Sequence, residues 1–266
     1  MARMMTANGA IGVAELGAGG VPLVFLHGVG SDKSAWAPQL AHFAATRRTI
    51  ALDYPGYGES DPIPATGHGA AHDALAQAVL AALDALEVER CDLCGLSLGG
   101  VIAIALAAQA PHRIASLVLA DTFAVHPDGP VILARSLAAS DDLAAMAQQR
   151  VPALLAANPG PALVSALVDV MARLDPAAFR LCAAAVWPVD QRDRATRIVC
   201  PTLVVCGAED RVTPPALSDA LAALISHSTQ VTIDGAGHLP NLEQPALFNA
   251  ALDAFLATLP SASDAA

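Results

Sequence analysis

Cys91-Asp92-Leu93-Cys94-Gly95-Leu96-Ser97-Leu98-Gly99-Gly100, followed by Val101-Ile102-Ala103-Ile104-Ala105-Leu106, decides how this chain folds. One apolar run leads into a turn with a serine at its apex, and a second leads out. The first has the length of a buried strand, and the second suits a core helix. Gly95-x-Ser97-x-Gly99 is the frame of a nucleophile elbow. A sharp strand-to-helix turn forces the serine into a strained backbone, so its neighbours must be small. The helix behind it would aim its first amides at the serine hydroxyl, where they can hold a developing oxyanion. Five-residue frames also occur by chance in Gly-rich loops that merely close a strand. Here the flanking runs and three further motifs set the frame apart.

Working outward, strands are predicted from Ile11 to Leu16, Val21 to Leu26, Arg48 to Leu52, Cys91 to Cys94, Leu117 to Ala120, Thr202 to Cys206 and Gln230 to Ile233. Helices are predicted from Ala70 to Leu86, Leu98 to Ala110, Pro215 to Ile225 and Gln244 to Leu259. The short Gly17-Ala18-Gly19-Gly20 link predicts an antiparallel hairpin between the first two strands. Apolar strands alternating with helices predict an α/β fold, with a mostly parallel sheet covered on both faces. Residues 128–197 break that rhythm with helical pieces, several prolines and no strand pattern. They are expected to form a helical cap insertion over the sheet's C-terminal edge, where open α/β folds bind ligands. The expected core is then residues 1–127 and 198–260, with a frayed tail at 261–266.

The 266 residues suit one large domain with an insertion. A net charge of −11, with Lys33 as the only lysine, argues against nucleic acid and anionic membranes as partners. No apolar run reaches the roughly 18–20 residues of a membrane span, and no basic-then-apolar leader opens the chain. The expected location is the cytoplasm, with the five cysteines as reduced thiols. Cys91-x-x-Cys94 looks like half of a redox or zinc site. On a strand, however, residues three apart face opposite ways, so two buried structural thiols are expected. The histidines are scattered, and His68 and His72 open an exposed helix. No metal or cofactor is expected.

Ser97 needs a base, and His238 lies in Asp234-Gly235-Ala236-Gly237-His238-Leu239-Pro240, after the last predicted strand. Its imidazole can take the serine proton and return it to a leaving group. An isolated histidine there would ordinarily be a solvated loop residue. The base needs an orienting carboxylate. Asp210, in Gly207-Ala208-Glu209-Asp210-Arg211, follows a strand and completes the chain order Ser-Asp-His. Turn formation is the plainer role for that aspartate. Glu209 is a possible substitute, and Asp121, after the preceding strand, is the rival. For the oxyanion, the Leu98 amide and the Val29 amide in Leu26-His27-Gly28-Val29-Gly30-Ser31 are the expected donors, with His27 fixing that loop.

These motifs resemble the α/β-hydrolase superfamily over nearly the whole chain. The resemblance rests on His27-Gly28, Asp53-Tyr54-Pro55-Gly56-Tyr57-Gly58-Glu59-Ser60, the turn at Ser97, Asp210 and Gly237-His238. It implies the α/β-hydrolase fold, a Ser97-Asp210-His238 triad, and Asp53 as a turn-shaping residue. Within the superfamily, the Leu26–Ser31 loop with Trp36 and the Gly95–Gly100 turn are most similar to 3-oxoadipate enol-lactonases and related small carboxylesterases. That similarity implies hydrolysis of an ester or lactone through an acyl-serine, in aromatic-ring degradation. Carbon–carbon bond hydrolases share the triad and cap but usually carry Asn where this chain has Leu96. Cofactor-free perhydrolases also share the triad. A non-catalytic small-ligand binder on the same scaffold would have no reason to keep all three residues. Trp36, Phe123, Met171 and Trp187 are candidates for an apolar substrate wall, with core packing as the competing role. Arg135, Arg150, Arg173 and Arg180 are candidate partners for a substrate carboxylate, and the sequence does not choose among them.

Overall fold

The computed structural model describes residues 2–62 and 71–260. Eight strands form one sheet: β1 (Ala2–Thr6), β2 (Gly9–Leu16), β3 (Leu23–Leu26), β4 (Thr49–Leu52), β5 (Cys91–Leu96), β6 (Ile114–Ala120), β7 (Thr202–Gly207) and β8 (Ser228–Ile233). Their order is β1-β2-β4-β3-β5-β6-β7-β8. β3 to β8 run parallel, and β1 and β2 add an antiparallel edge. Strands β3, β4, β5 and β7 are buried along their whole length. That explains their largely apolar sequences, since both faces of a parallel sheet are covered.

The expected hairpin is not formed. β4 lies between β2 and β3, antiparallel to one and parallel to the other. The Gly17–Gly20 link crosses the start of β4 instead: Arg48 N donates to Gly19 O at 2.9 Å, and Leu23 N donates to Arg48 O at 2.9 Å. β1 was not anticipated, because its Ala-Arg-Met-Met-Thr sequence is mostly exposed and gains its order by pairing with β2.

Helices α1 (Ala37–Phe43), α2 (Ala71–Ala85) and α3 (Leu98–Gln109) lie in the first half of the chain. Between β6 and β7 come α4 (Gly129–Ala139), α5 (Leu143–Leu154), α6 (Pro161–Ala172), α7 (Pro176–Val186) and α8 (Arg192–Ala195). The last three are α9 (Pro215–Leu224), α10 (Pro240–Glu243) and α11 (Pro245–Leu256). The helix expected from Gln244 to Leu259 is α11, opened by Pro245, and the short α10 precedes it. The expected start of α2 at Ala70, His68, and the tail at 261–266 fall outside the described residues. Among the described residues, no helix is long and apolar enough to cross a membrane.

Lys33 is the anchor beneath the early loops. Its Nζ lies 2.6 Å from Asp53 Oδ2 and 2.9 Å from Glu59 Oε2, and its backbone N–H donates to Asp53 Oδ1 at 2.8 Å. Burial pulls the Lys33 pKa down, but the bonds to Asp53 and Glu59 outweigh it and leave the pKa raised. Asp53 also accepts from Glu59 N at 3.1 Å within the loop after β4, and its bonds to Lys33 tie that loop to the loop after β3. Removing one partner of a buried pair strands the other charge. Lys33→Met is expected to cost about 3 kcal/mol of stability, read as a lower urea midpoint. Adding Asp53→Asn should restore part of that loss.

Candidate active site

Ser97 sits between β5 and α3 with φ 55° and ψ −114°, a conformation that L-residues seldom adopt. The neighbouring strand pins it there. Ser97 N donates to Ala120 O at 2.9 Å, and Thr122 Oγ1 donates to Ser97 O at 2.8 Å. The flanking glycines are steric necessities. A Cβ on Gly95 would lie 2.2 Å from Gly99 O, and one on Gly99 would lie 2.1 Å from Leu26 O.

β5, β6, β7 and β8 are consecutive in the sheet, and the loops leaving their C-terminal ends carry Ser97, Asp121, Asp210 and His238 in that order. His238 Nδ1 lies 2.8 Å from Asp210 Oδ2. With Nδ1–H donating to the carboxylate, Nε2 keeps its lone pair for a proton. Asp210 accepts three further bonds, from Val212 N at 2.7 Å, Thr213 N at 3.1 Å and Thr213 Oγ1 at 2.5 Å. Burial pushes the Asp210 pKa up, but the His238 charge and these bonds outweigh it and hold the carboxyl well below its usual range. Glu209 is exposed and accepts from Ala157 N instead.

Asp121, the rival acid, is spent on the backbone: its Oδ1 accepts from Gly207 N at 2.9 Å. It is fully buried, and its Oδ2 has no partner. Burial first, and then the Asp210 charge, push its pKa well above the usual carboxylate range. Side by side and buried, the two carboxyls are pushed in opposite directions, Asp210 towards its ionised form and Asp121 towards its protonated one. Ligand atoms of Asp121, Asp210 and His238 lie within 4.8 Å of one another. The His238 and Asp210 atoms are engaged with each other, as an acid–base network requires.

Val29 and Ser97 line a small pocket with Gly28, Gly30, Ser31, Leu96, Arg150, Val151, Leu154, Leu167, Met171, His238 and Leu239. Leu98 opens α3, so its amide has no partner within the helix. His27 is buried, donates from Nδ1 to Gly28 O at 2.8 Å, and packs on Tyr54 and Tyr57. Burial lowers its pKa, as befits a structural, neutral ring. Of the four candidate wall residues, Met171 lines the pocket and Trp187 lines an adjoining cleft. Trp36 and Phe123 line neither. Trp36 is packed between Phe25 and Phe248, and Phe123 is stacked on Trp187. Cys91 and Cys94 are buried free thiols, with the Cys91 pKa pushed by burial up to about 12.

Two supports escaped the sequence. Thr213 bonds both Asp210 and His238. Glu243 accepts from Gly237 N at 2.9 Å, Leu239 N at 3.2 Å and Ala156 N at 2.6 Å, clamping the His238 loop to the end of α5. The available signal was a Glu close behind Leu239-Pro240, where a carboxylate can reach back to amides at a helix start.

A model of the alpha/beta hydrolase family matches residues 23–251. The chain belongs to that family. The hydrolase is 32% identical over 240 residues to 3-oxoadipate enol-lactonase 2 of Acinetobacter baylyi, covering 88% of each chain. It is 28% identical over 258 residues to a 2-hydroxy-6-oxononadienedioate/2-hydroxy-6-oxononatrienedioate hydrolase of Cupriavidus pinatubonensis, covering 91% of this chain and 89% of the relative. Among solved structures, it superposes on the enol-lactonase from Burkholderia xenovorans with a TM-score of 0.89 at 26% identity, over 96% of this chain and 100% of that one.

The two aspartates make separable predictions. Asp210→Asn should lower kcat about 10⁴-fold, the effect of losing the orienting carboxylate in a serine triad. Asp121→Asn mimics the protonated acid and should cost less than about tenfold. A carboxyl with a raised folded pKa keeps its proton above the unfolded value of about 3.9. Its contribution to stability therefore falls as pH climbs through that value towards the folded pKa. Asn does not titrate, so thermal melts should show Asp121→Asn gaining on wild type as pH rises from 4 to 7.

Proposed function

We propose that this hydrolase cleaves a carboxylic ester or lactone through an acyl-serine intermediate. Ser97 is the nucleophile, His238 the base and Asp210 the orienting acid. The observation that carries this is the His238 Nδ1–Asp210 Oδ2 bond of 2.8 Å, with His238 and the strained Ser97 in the wall of one pocket. Ser97 Oγ attacks the carbonyl carbon while its proton passes to His238 Nε2. The Leu98 and Val29 amides hold the oxyanion, and losing one such donor costs about 100- to 1,000-fold in kcat. His238 returns the proton to the departing oxygen as the carbonyl C–O bond breaks. Water, activated by the same imidazole, then releases the acid.

The free space over Ser97 is about 30 Å³, room for a water and little more. Substrate entry therefore requires α5 and α6 to yield, and we assign them the role of a cap. Met171 of α6 crowds the oxyanion loop, since a Cβ on Gly30 would lie 2.6 Å from Met171 Cε. Met171→Ala should raise kcat/KM for long acyl esters relative to acetyl or butyryl esters. The enol-lactonase likenesses make 3-oxoadipate enol-lactone the leading substrate. The five free thiols agree with the cytoplasmic location we assign.

Steady-state hydrolysis of that lactone, with p-nitrophenyl butyrate as reference, tests the proposal. The lactone should approach the upper part of the usual range of about 10⁴–10⁸ M⁻¹s⁻¹ in kcat/KM. Ser97→Ala should lower kcat about 10⁶-fold. A fluorophosphonate should label Ser97 in the wild type, and an unlabelled, inactive wild type would overturn the scheme.

A further inference from the structure

Arg150 stands apart from the other twelve arginines. Among the described residues, Arg3, Arg47, Arg48, Arg113, Arg180, Arg192 and Arg194 each pair with an acid. Arg90, Arg135, Arg173, Arg197 and Arg211 have no acidic partner but are exposed, where water serves them. Arg150 has no acidic partner among the described residues and is partly buried. Its one side-chain hydrogen bond is a long one, from Nη1 to Ser136 Oγ at 3.4 Å. Its guanidinium lies 5.9 Å from the centre of the Trp187 ring.

A withdrawn cation without a counter-charge is costly, and chains keep one where a ligand supplies the anion. Arg150 lies at the right place for that. It lines the pocket over Ser97 and also an outer cleft of about 710 Å³. Its surroundings are rich in donors and poor in acceptors. Trp187 Nε1 and the Tyr57 hydroxyl are buried without a partner. Tyr57 is close enough to Arg150 that the cation's charge acts on its phenol. The cleft wall adds Arg135 and Arg211 against a single acid, Asp128. Arginine offers only donors, in a fork that fits a carboxylate.

We propose that Arg150 binds a free carboxylate on the substrate, so that the preferred substrates are half-esters of dicarboxylic acids, or lactone acids, rather than neutral esters. This rests on the acyl-serine reading above, but it concerns a different residue and has its own readout. One charge opposite one withdrawn guanidinium suits a carboxylate better than a doubly charged phosphate. Arg135 is exposed on the cleft wall, Arg173 lines neither the pocket nor the cleft, and Arg180 is occupied by Asp141.

The test compares the mono-p-nitrophenyl ester of adipic acid with p-nitrophenyl hexanoate, which differ only in carboxylate against methyl. A second pair carries the charge on the leaving group: 3-carboxyphenyl butyrate against phenyl butyrate. In at least one pair, the wild type should prefer the anion by about 10- to 100-fold in kcat/KM, carried by KM, the scale of a charge-assisted hydrogen bond. Arg150→Met should collapse that ratio to near unity, and Arg150→Lys should keep part of it. No preference in either wild-type pair, or an unchanged ratio in Arg150→Met, would overturn the proposal. Binding gives a readout independent of turnover. The half-ester monomethyl adipate should raise the Tm of Ser97→Ala more than the neutral methyl hexanoate does, and equal shifts would also overturn it. If instead the wild type cleaves no ester while monomethyl adipate still stabilises Ser97→Ala selectively, the acyl-serine reading fails and the carboxylate site stands.

Discussion

The backbone of Ser97 is the constraint around which this structure is organised. A non-glycine residue at φ 55° persists only when its surroundings over-determine it. Here β6 supplies the restraint, accepting from Ser97 N through Ala120 and capping Ser97 O through Thr122. The close passage of Leu26 O over Gly99 brings β3, and with it the Gly28–Ser31 loop, against the same turn. Ser97 and the loop proposed to carry the second oxyanion donor are therefore positioned by one packing arrangement. Loosening either would relax both.

Around that turn, the fold separates two carboxyl groups by environment. Asp210 receives an imidazole N–H, two amides and a hydroxyl, all of which favour its ionised form. Asp121 receives one amide, and its second oxygen is left dry. The same residue type is thus pushed to opposite protonation states a few ångströms apart. The neutral one braces the end of β7, from which Asp210 emerges, without competing for the proton on His238.

Much of this was legible in the chain because it is local. The turn at Ser97, the buried parallel strands and the order of the candidate triad are each written in contiguous residues. What failed depends on distant pairing. The Gly17–Gly20 link looks like a hairpin turn until β4, more than 20 residues further on, takes the place between its strands. β1 owes its order to a neighbour rather than to its own composition. Trp36 and Met171 are equally apolar in sequence, and only packing sends one into the core and the other into the pocket wall. The choice between Asp121 and Asp210 required knowing which loop His238 meets. The choice of Arg150 required knowing which arginines lack partners.

The single lysine has a chemical consequence. Its amine is held between Asp53 and Glu59, almost wholly withdrawn from solvent. Every other cationic side chain is an arginine or, when protonated, a histidine. Activated esters and enol-lactones are acylating agents, and their natural targets on a protein surface are unprotonated lysine amines. This protein presents no such side chain, so an enzyme working at high concentrations of a reactive acyl donor would not be modified on its lysines. For the same reason, succinimidyl cross-linkers and aldehyde supports would find no lysine handle on its folded surface.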